Sequence, residues 1–172
     1  MKKTINANWI FHENNDVDLA VLPFMFNLEK DDVKCIPENY FLEPSRIYEL
    51  YDVFFLAYQP GLDYKKKISP AVRNGIISII NDDKTFYIDA SAFPGNSGSP
   101  VFLTPSPIRF DSGGIVVGND ELGGKFIGII GAYLPYRDVA ISEQTGLPRI
   151  VFEENTGLSK VWSITYLKQI VD

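Results

Sequence analysis

Short apolar stretches separated by polar turns dominate this chain, and their residue types are typical of β-strands. The stretches are rich in Val, Ile, Phe and Tyr, and clusters of Gly, Pro, Asn and Asp interrupt them. Helical periodicity is nearly absent before the C-terminus. The pattern predicts strands over residues 9–12, 19–23, 52–59, 72–80, 85–89, 99–103, 126–133 and 160–163.

Three further local signals complete the predicted fold. Residues 81–84 read Asn-Asp-Asp-Lys between two predicted strands, and Asn and Asp tolerate the backbone angles of a hairpin turn. Apolar side chains between Ile164 and Val171 recur at helical spacing, which predicts a short C-terminal helix packed on the sheet. Residues 29–44 are polar and are predicted to form a linker. The chain is therefore predicted to be an antiparallel β-sandwich or β-barrel.

Composition and charge narrow the possible partners. The 172 residues are 45% hydrophobic, which is enough apolar material for a packed core. The net charge is −6 and no basic block occurs, so we expect neither nucleic acid nor an anionic membrane as a partner. The longest apolar runs fall short of the roughly 18 residues that a membrane-spanning helix needs. Polar residues follow the charged start, so we expect no secretion signal, and a cytoplasmic location if Met1 is the true start.

The chain contains one cysteine and one histidine, which limits the chemistry available to it. Cys35 has no second cysteine to pair with, so an internal disulfide and a cysteine-rich metal site are both excluded. We expect neither a metal nor a cofactor. His12 is the only histidine that could act as a general base.

Residues 93–102 read Phe-Pro-Gly-Asn-Ser-Gly-Ser-Pro-Val-Phe and are the most informative segment. Ser97 is flanked by small residues just before a predicted strand, so its hydroxyl can be exposed at a sharp turn. The backbone N–H groups of Gly95 and Ser97 could then point into one concavity. Such a pair of donors is the geometry of an oxyanion hole. A β-turn rich in Gly and Ser, with no catalytic role, is the alternative interpretation.

Asp18 opens an apolar predicted strand and is the second candidate. In acyl-transfer sites a buried carboxylate orients a histidine and stabilises its imidazolium form. The alternative is a surface charge at the start of a strand.

Taken in order, these segments resemble the chymotrypsin/trypsin-like serine peptidases, in particular the bacterial trypsin-like and glutamyl-endopeptidase-like enzymes. The matching segments are residues 18–22, 59–61, 73–76, 95–100, 126–129 and 157–158. The 95–100 segment is the specific one, and the others support it by their order and spacing. The resemblance extends over nearly all of the chain after Trp9.

The resemblance implies a fold, an activity and a set of site residues. The fold would be an antiparallel trypsin-like β-barrel: residues 1–44 would be the end of a first barrel and a linker, and residues 45–172 a complete second barrel with the C-terminal helix. The activity would be hydrolysis of peptide or protein substrates through an acyl-enzyme. The implied residues are Ser97 as nucleophile, Asp18 as triad acid, the N–H groups of Gly95 and Ser97 as oxyanion hole, and Ser91, Ile130, Gly131 and Ala132 in a substrate pocket suited to an apolar side chain.

The sequence departs from this family at the catalytic histidine, which in the family lies well upstream of the acid. His12 is only six positions before Asp18, a separation of roughly 20 Å along an extended strand. A turn at residues 13–15 would place His12 beside the strand of the acid, away from Ser97. We therefore expect this chain alone to be inactive. It would be a shortened enzyme, a half-enzyme whose partner chain supplies the missing strands and histidine, or a non-catalytic binding or scaffold domain.

Overall fold

The computed structural model describes residues 8–27, 29–58, 69–111, 113–118 and 120–172 of the chain. Its regular structure consists of antiparallel β-strands and one short C-terminal helix. The strands are β1 (Ile10–Phe11), β2 (Ala20–Val21), β3 (Asp52–Ala57), β4 (Ala71–Ile80), β5 (Thr85–Ala90), β6 (Pro100–Leu103), β7 (Ile108–Asp111), β8 (Gly114–Val117), β9 (Phe126–Ile141) and β10 (Pro148–Ser163), and the helix is α1 (Ile164–Val171).

Six of the strands form a closed barrel in the order β3–β4–β5–β10–β9–β6, with β6 pairing back onto β3. Every neighbouring pair in this barrel is antiparallel. Side chains alternate between the interior and the outer face along each strand. On β3, for example, Val53 and Phe55 are fully buried whereas Asp52 is exposed. The predicted antiparallel β class and the helix at the C-terminus are both confirmed.

Apolar side chains from all six strands fill the barrel. Phe55, Phe86 and Ile88 are among the fully buried members of this core. Two glycines let the strands approach each other closely on the barrel wall. A Cβ atom on Gly75 would lie 2.3 Å from the Asp89 carbonyl oxygen, and one on Gly128 would lie 2.3 Å from the Trp162 carbonyl oxygen.

The described residues before β3 include a small two-stranded sheet that packs on the outside of the barrel beside α1. Strands β1 and β2 pair with each other, and the buried side chains of Val17 and Leu19 contact Trp162 at the end of β10. The segment predicted as a linker, residues 29–44, contains one short 3-10 turn, Glu38–Tyr40, and a second, Pro44–Arg46, begins at its last residue. No helix in the described part of the chain has both the length and the apolar composition needed to cross a membrane.

Two hairpins were not predicted from the sequence. The first consists of β7 and β8, which lie between β6 and β9 in the chain and pair with each other. The second consists of β9 and β10, which are 16 residues long each and continue their pairing beyond the barrel. The distal part of this long hairpin exposes apolar side chains such as Ile150 and Phe152. A ribbon exposed on both faces lacks the apolar-polar alternation that identifies a half-buried strand. The match at residues 59–61 lies outside the described residues.

Candidate functional site

The loop that connects β5 to β6 carries Ser97 at a tight turn. The N–H of Asn96 donates to the carbonyl of Phe93 at 2.9 Å, and Gly95 has a φ of 97°. Pro94 and Gly95 therefore occupy the two central positions of this turn. Proline supplies the fixed φ of the first position, and glycine adopts the positive φ of the second without strain. The local sequence alone accounts for this turn.

The buried side chain of Asn96 holds the loop together from within. Asn96 is only 1% exposed, and its Oδ1 accepts a hydrogen bond from the N–H of Phe93 at 3.0 Å. Its backbone carbonyl accepts from the N–H of Ser99 at 3.1 Å. Asn96 therefore fixes the chain on both sides of Ser97. The sequence interpretation placed Asn96 in a pocket wall and did not predict these bonds, although asparagine next to a Pro-Gly turn is a recognisable signal for them.

Asn96→Ala is expected to loosen this loop. The substitution leaves the Phe93 N–H without its partner, which costs about 1–3 kcal/mol of unfolding free energy. It also removes Nδ2, which is buried without a described partner, so we expect a loss near the lower end of that range. Urea unfolding measures that loss, and amide exchange should accelerate at Ser97 and Gly98 more than in β3. Asn74→Ala, an exposed change on β4, is the matched control. Unchanged stability and unchanged exchange would contradict a structural role for Asn96.

Ser97 and its neighbour connect the loop to β9. The Ser97 hydroxyl donates to the carbonyl of Gly131 at 2.7 Å, and the N–H of Gly98 donates to the carbonyl of Ile130 at 2.7 Å. The N–H groups of Gly95 and Ser97 donate to no described residue, and both residues are exposed. Both N–H groups therefore remain candidates for binding a ligand oxygen, and their convergence on one point stays a prediction.

A cavity of about 200 Å³ opens beside this loop. Its walls combine the residues that follow Ser91 with the barrel end of the long hairpin. The lining residues are Ala92, Phe93, Pro94, Gly95, Ser97, Ile130, Gly131, Ala132 and Tyr133. The structure thus brings Ser97 together with Ile130, Gly131 and Ala132, as the sequence interpretation expected of a substrate pocket.

Ser91 does not line this cavity, although it was expected near the pocket base. Its carbonyl accepts a hydrogen bond from Nη1 of Arg73 at 2.6 Å. The Arg73 guanidinium also lies over the Phe93 ring, 5.3 Å from the ring centre. Arg73, on β4, therefore supports the wall of the cavity from behind. The sequence around Arg73 contains no signal that predicts this role.

Tyr133 at the rim of the cavity belongs to a small polar cluster. Its hydroxyl donates to Glu153, and Nε of Arg137 contacts the other carboxylate oxygen at 2.7 Å. The bond from Tyr133, together with Arg137, lowers the pKa of the Glu153 carboxyl. The same bond raises the pKa of the Tyr133 phenol, which therefore stays protonated at neutral pH. Neither group is a free base for Ser97.

The described contacts of His12 are with α1 and with its own neighbouring residues, and none of them is with the Ser97 loop. Its Nε2 is 2.8 Å from Oε1 of Gln169, and its Nδ1 accepts from the N–H of Asn14 at 3.0 Å. Its ring is also 5.8 Å from that of Tyr166. Both ring nitrogens are therefore engaged, and neither by Ser97. The expectation that His12 is not positioned as the base agrees with these contacts.

Asp18 is exposed, and no described residue donates a hydrogen bond to its carboxylate. His12 pairs with Gln169 instead of this carboxylate, so the predicted acid, the sole histidine and Ser97 form no hydrogen-bonded chain. Among the residues that the structure describes, no cluster of three or more His, Cys, Asp or Glu side chains could hold a metal ion.

Comparison of the chain with protein-family models, with curated proteins and with solved structures finds no match in any of the three. The functional assignment therefore depends on the geometry of the Ser97 loop and its cavity.

Proposed function

We propose that Ser97 is the acyl-forming nucleophile of a trypsin-like serine endopeptidase, and that this chain is a portion of that enzyme without its general base. One observation carries the proposal. The exposed serine lies beside two unpaired N–H donors, its own and that of Gly95, at the edge of the cavity of about 200 Å³. A tetrahedral intermediate of acyl transfer needs such donors for its oxyanion.

In this mechanism Ser97 Oγ attacks the scissile carbonyl of a peptide or protein substrate. The π electrons of the carbonyl group move onto its oxygen, which becomes the oxyanion and accepts hydrogen bonds from the N–H groups of Gly95 and Ser97. The hydroxyl must first leave the Gly131 carbonyl, and its proton must pass to a base that later protonates the leaving amine. Because His12 is bound to Gln169, the base in this mechanism is another residue, carried either by a longer form of this chain or by a partner chain. Ile130 and Ala132 offer walls for an apolar side chain.

A non-catalytic, protease-like binding domain is the second candidate. The bond from Ser97 Oγ to the Gly131 carbonyl favours it, because the hydroxyl proton is directed to an acceptor that cannot serve as a base. In such a domain the Gly95 and Ser97 donors would hold a peptide carbonyl, and no covalent step would follow.

Chemical rescue by imidazole distinguishes the two candidates. Imidazole in solution can take the place of a missing histidine, and the substrate is the p-nitrophenyl ester of an N-acetylated apolar amino acid. We expect imidazole to raise the esterase rate of the chain at least about tenfold over that of Ser97→Ala, after subtraction of the direct reaction with imidazole. Ser91→Ala, which removes an exposed hydroxyl outside the cavity, should respond like the unmodified chain.

Equal rescue of the chain and of Ser97→Ala would overturn the nucleophile assignment. The binding domain would then be supported if an acetylated peptide amide shifts the amide resonances of Gly95 and Ser97 in a titration followed by NMR.

A further inference from the structure

A second and larger cavity lies at the other end of the barrel from Ser97. It encloses about 350 Å³ and is bounded by the segment before β3, the β7–β8 hairpin and the turn before β9. Strand β6 begins three residues after Ser97 and ends at Leu103, just before this region. Its four residues alone separate the two ends of the barrel by roughly 13 Å. The second cavity is therefore a separate site.

A rigid, nearly buried arginine forms one wall of this second cavity. The Arg109 side chain is 8% exposed, and its Nε and Nη2 donate to the two carboxylate oxygens of Asp120 at 2.8 and 2.9 Å. Its Nη2 also donates to the carbonyl of Thr104 at 2.7 Å, and the guanidinium lies 5.0 Å from the centre of the Tyr51 ring. The guanidinium is therefore held in one orientation before any ligand binds, which reduces the entropy cost of binding.

Hydrogen-bond donors remain unused around this second cavity. Nη1 of Arg109 has no partner among the described residues, which engage only Nε and Nη2. Arg46, exposed at the end of its 3-10 turn, makes no described ion pair, and the hydroxyl of Tyr48 has no described hydrogen-bond partner. The carboxylate of Asp120 is already bound to Arg109. These donors are therefore free to bind an acceptor group on a ligand.

The charges and the apolar wall restrict that ligand further. Asp120 already neutralises Arg109, whereas Arg46 makes no described ion pair and can attract one negative charge. Glu121, also in the lining, disfavours a second negative charge on the ligand. The rings of Tyr48 and Tyr51, in edge contact at 5.7 Å, provide apolar surface together with Val116.

We propose that this second cavity binds a small organic monocarboxylate with an apolar body. The carboxylate accepts hydrogen bonds from Nη1 of Arg109 and from Arg46, whose planar guanidinium groups match its geometry. The apolar body packs on Tyr48 and Val116. The volume of about 350 Å³ is within the range of small-molecule sites. This site is independent of the function proposed for Ser97.

Titration of the full chain with 3-phenylpropionate, followed by NMR, tests the proposal. We expect saturable shifts at Val116 and Leu122 and none at Ile130 in the Ser97 cavity. The uncharged amide, 3-phenylpropionamide, should bind at least about tenfold more weakly, because it has lost the charge that the two arginines recognise. Absence of shifts at Val116 and Leu122, shifts at Ile130 alone, or equal binding of the amide would each overturn the proposal.

Variants at the mouth of this cavity test where the carboxylate of the ligand binds. Arg46→Gln should weaken binding of 3-phenylpropionate about tenfold, through the loss of one charge-assisted bond, and Arg46→Lys should weaken it less. Arg149→Gln removes the same charge from an exposed position on β10 and should leave binding unchanged. Val116→Trp, at a half-exposed position, should fill the cavity and abolish binding. Wild-type affinity in both Arg46→Gln and Val116→Trp would contradict the site.

Discussion

The purified chain is expected to hydrolyse casein and fluorogenic peptides no faster than its Ser97→Ala variant. A serine hydroxyl is a weak nucleophile without a base, and Ser97 donates its proton to the Gly131 carbonyl. Serine peptidases that lose a triad member retain only about 10³–10⁴-fold acceleration over water, from the oxyanion hole and substrate binding. This residual acceleration is too small to detect, because the uncatalysed hydrolysis of peptide bonds is very slow. His12→Ala is likewise expected to change nothing in this assay, because His12 is bound to Gln169.

The same assay identifies a half-enzyme. If this chain is a half-enzyme, adding a chain that carries the strands of a first barrel and a histidine should produce turnover that Ser97→Ala abolishes. Robust turnover of the isolated chain, lost in both Ser97→Ala and His12→Ala, would contradict the prediction and would make His12 the base. The two variants thus separate an external base from an internal one.

Removal of the Asp120 carboxylate is expected to produce the largest loss of stability. Asp120→Ala leaves the Arg109 guanidinium nearly buried without its counter-charge, which typically costs about 3–5 kcal/mol. The carboxylate also accepts hydrogen bonds from the N–H groups of Ser106, Leu122 and Gly123, so three backbone donors lose their partner as well. Urea unfolding measures this loss. Asp32→Asn in the ion pair of Asp32 with Lys34, whose side chains are 86% and 88% exposed, is the control and should cost less than about 1 kcal/mol.

The dependence of stability on pH should report the same carboxylate. The hydrogen bond from Arg109, aided by backbone N–H groups, lowers the pKa of Asp120 from 3.8 to about 2. A carboxyl whose pKa is lower in the folded state stabilises the fold above its unfolded pKa and loses that contribution as the pH falls. We expect a contribution of about 2 kcal/mol that is complete above about pH 5 and disappears between about pH 4 and pH 2. Asp120→Asn should flatten the curve in this window. An unaltered curve would contradict the assignment.

Local features of the structure follow from the sequence. The enrichment in β-branched and aromatic residues between polar turns located at least part of each of the six barrel strands, because such residues suit a buried, pleated backbone. The helix Ile164–Val171 lies where its apolar spacing predicted it. The turn at Ser97 also follows from local residues, since Pro94 and Gly95 have the backbone preferences that it needs.

Contacts between distant residues account for what the sequence did not predict. The hairpin β7–β8 forms without a half-buried alternating face, and β9 and β10 pair far beyond the barrel. Nothing near Arg109 indicates that Asp120, eleven residues away, binds both Nε and Nη2 of its guanidinium. The second cavity likewise exists only because the segment before β3 meets that hairpin.

The candidate site divides in the same way. Ser97 and its Pro-Gly turn are properties of one short segment, so the sequence alone indicated them. The tertiary structure decided which groups surround that serine: Gly131 from β9 accepts its proton, and Arg73 from β4 supports the cavity wall through Ser91 and Phe93. It also paired His12 with Gln169, which is 157 positions away in the chain. Backbone preference and periodicity act over a few residues, whereas the partner of a side chain depends on which distant strands and helices the closed barrel brings beside it.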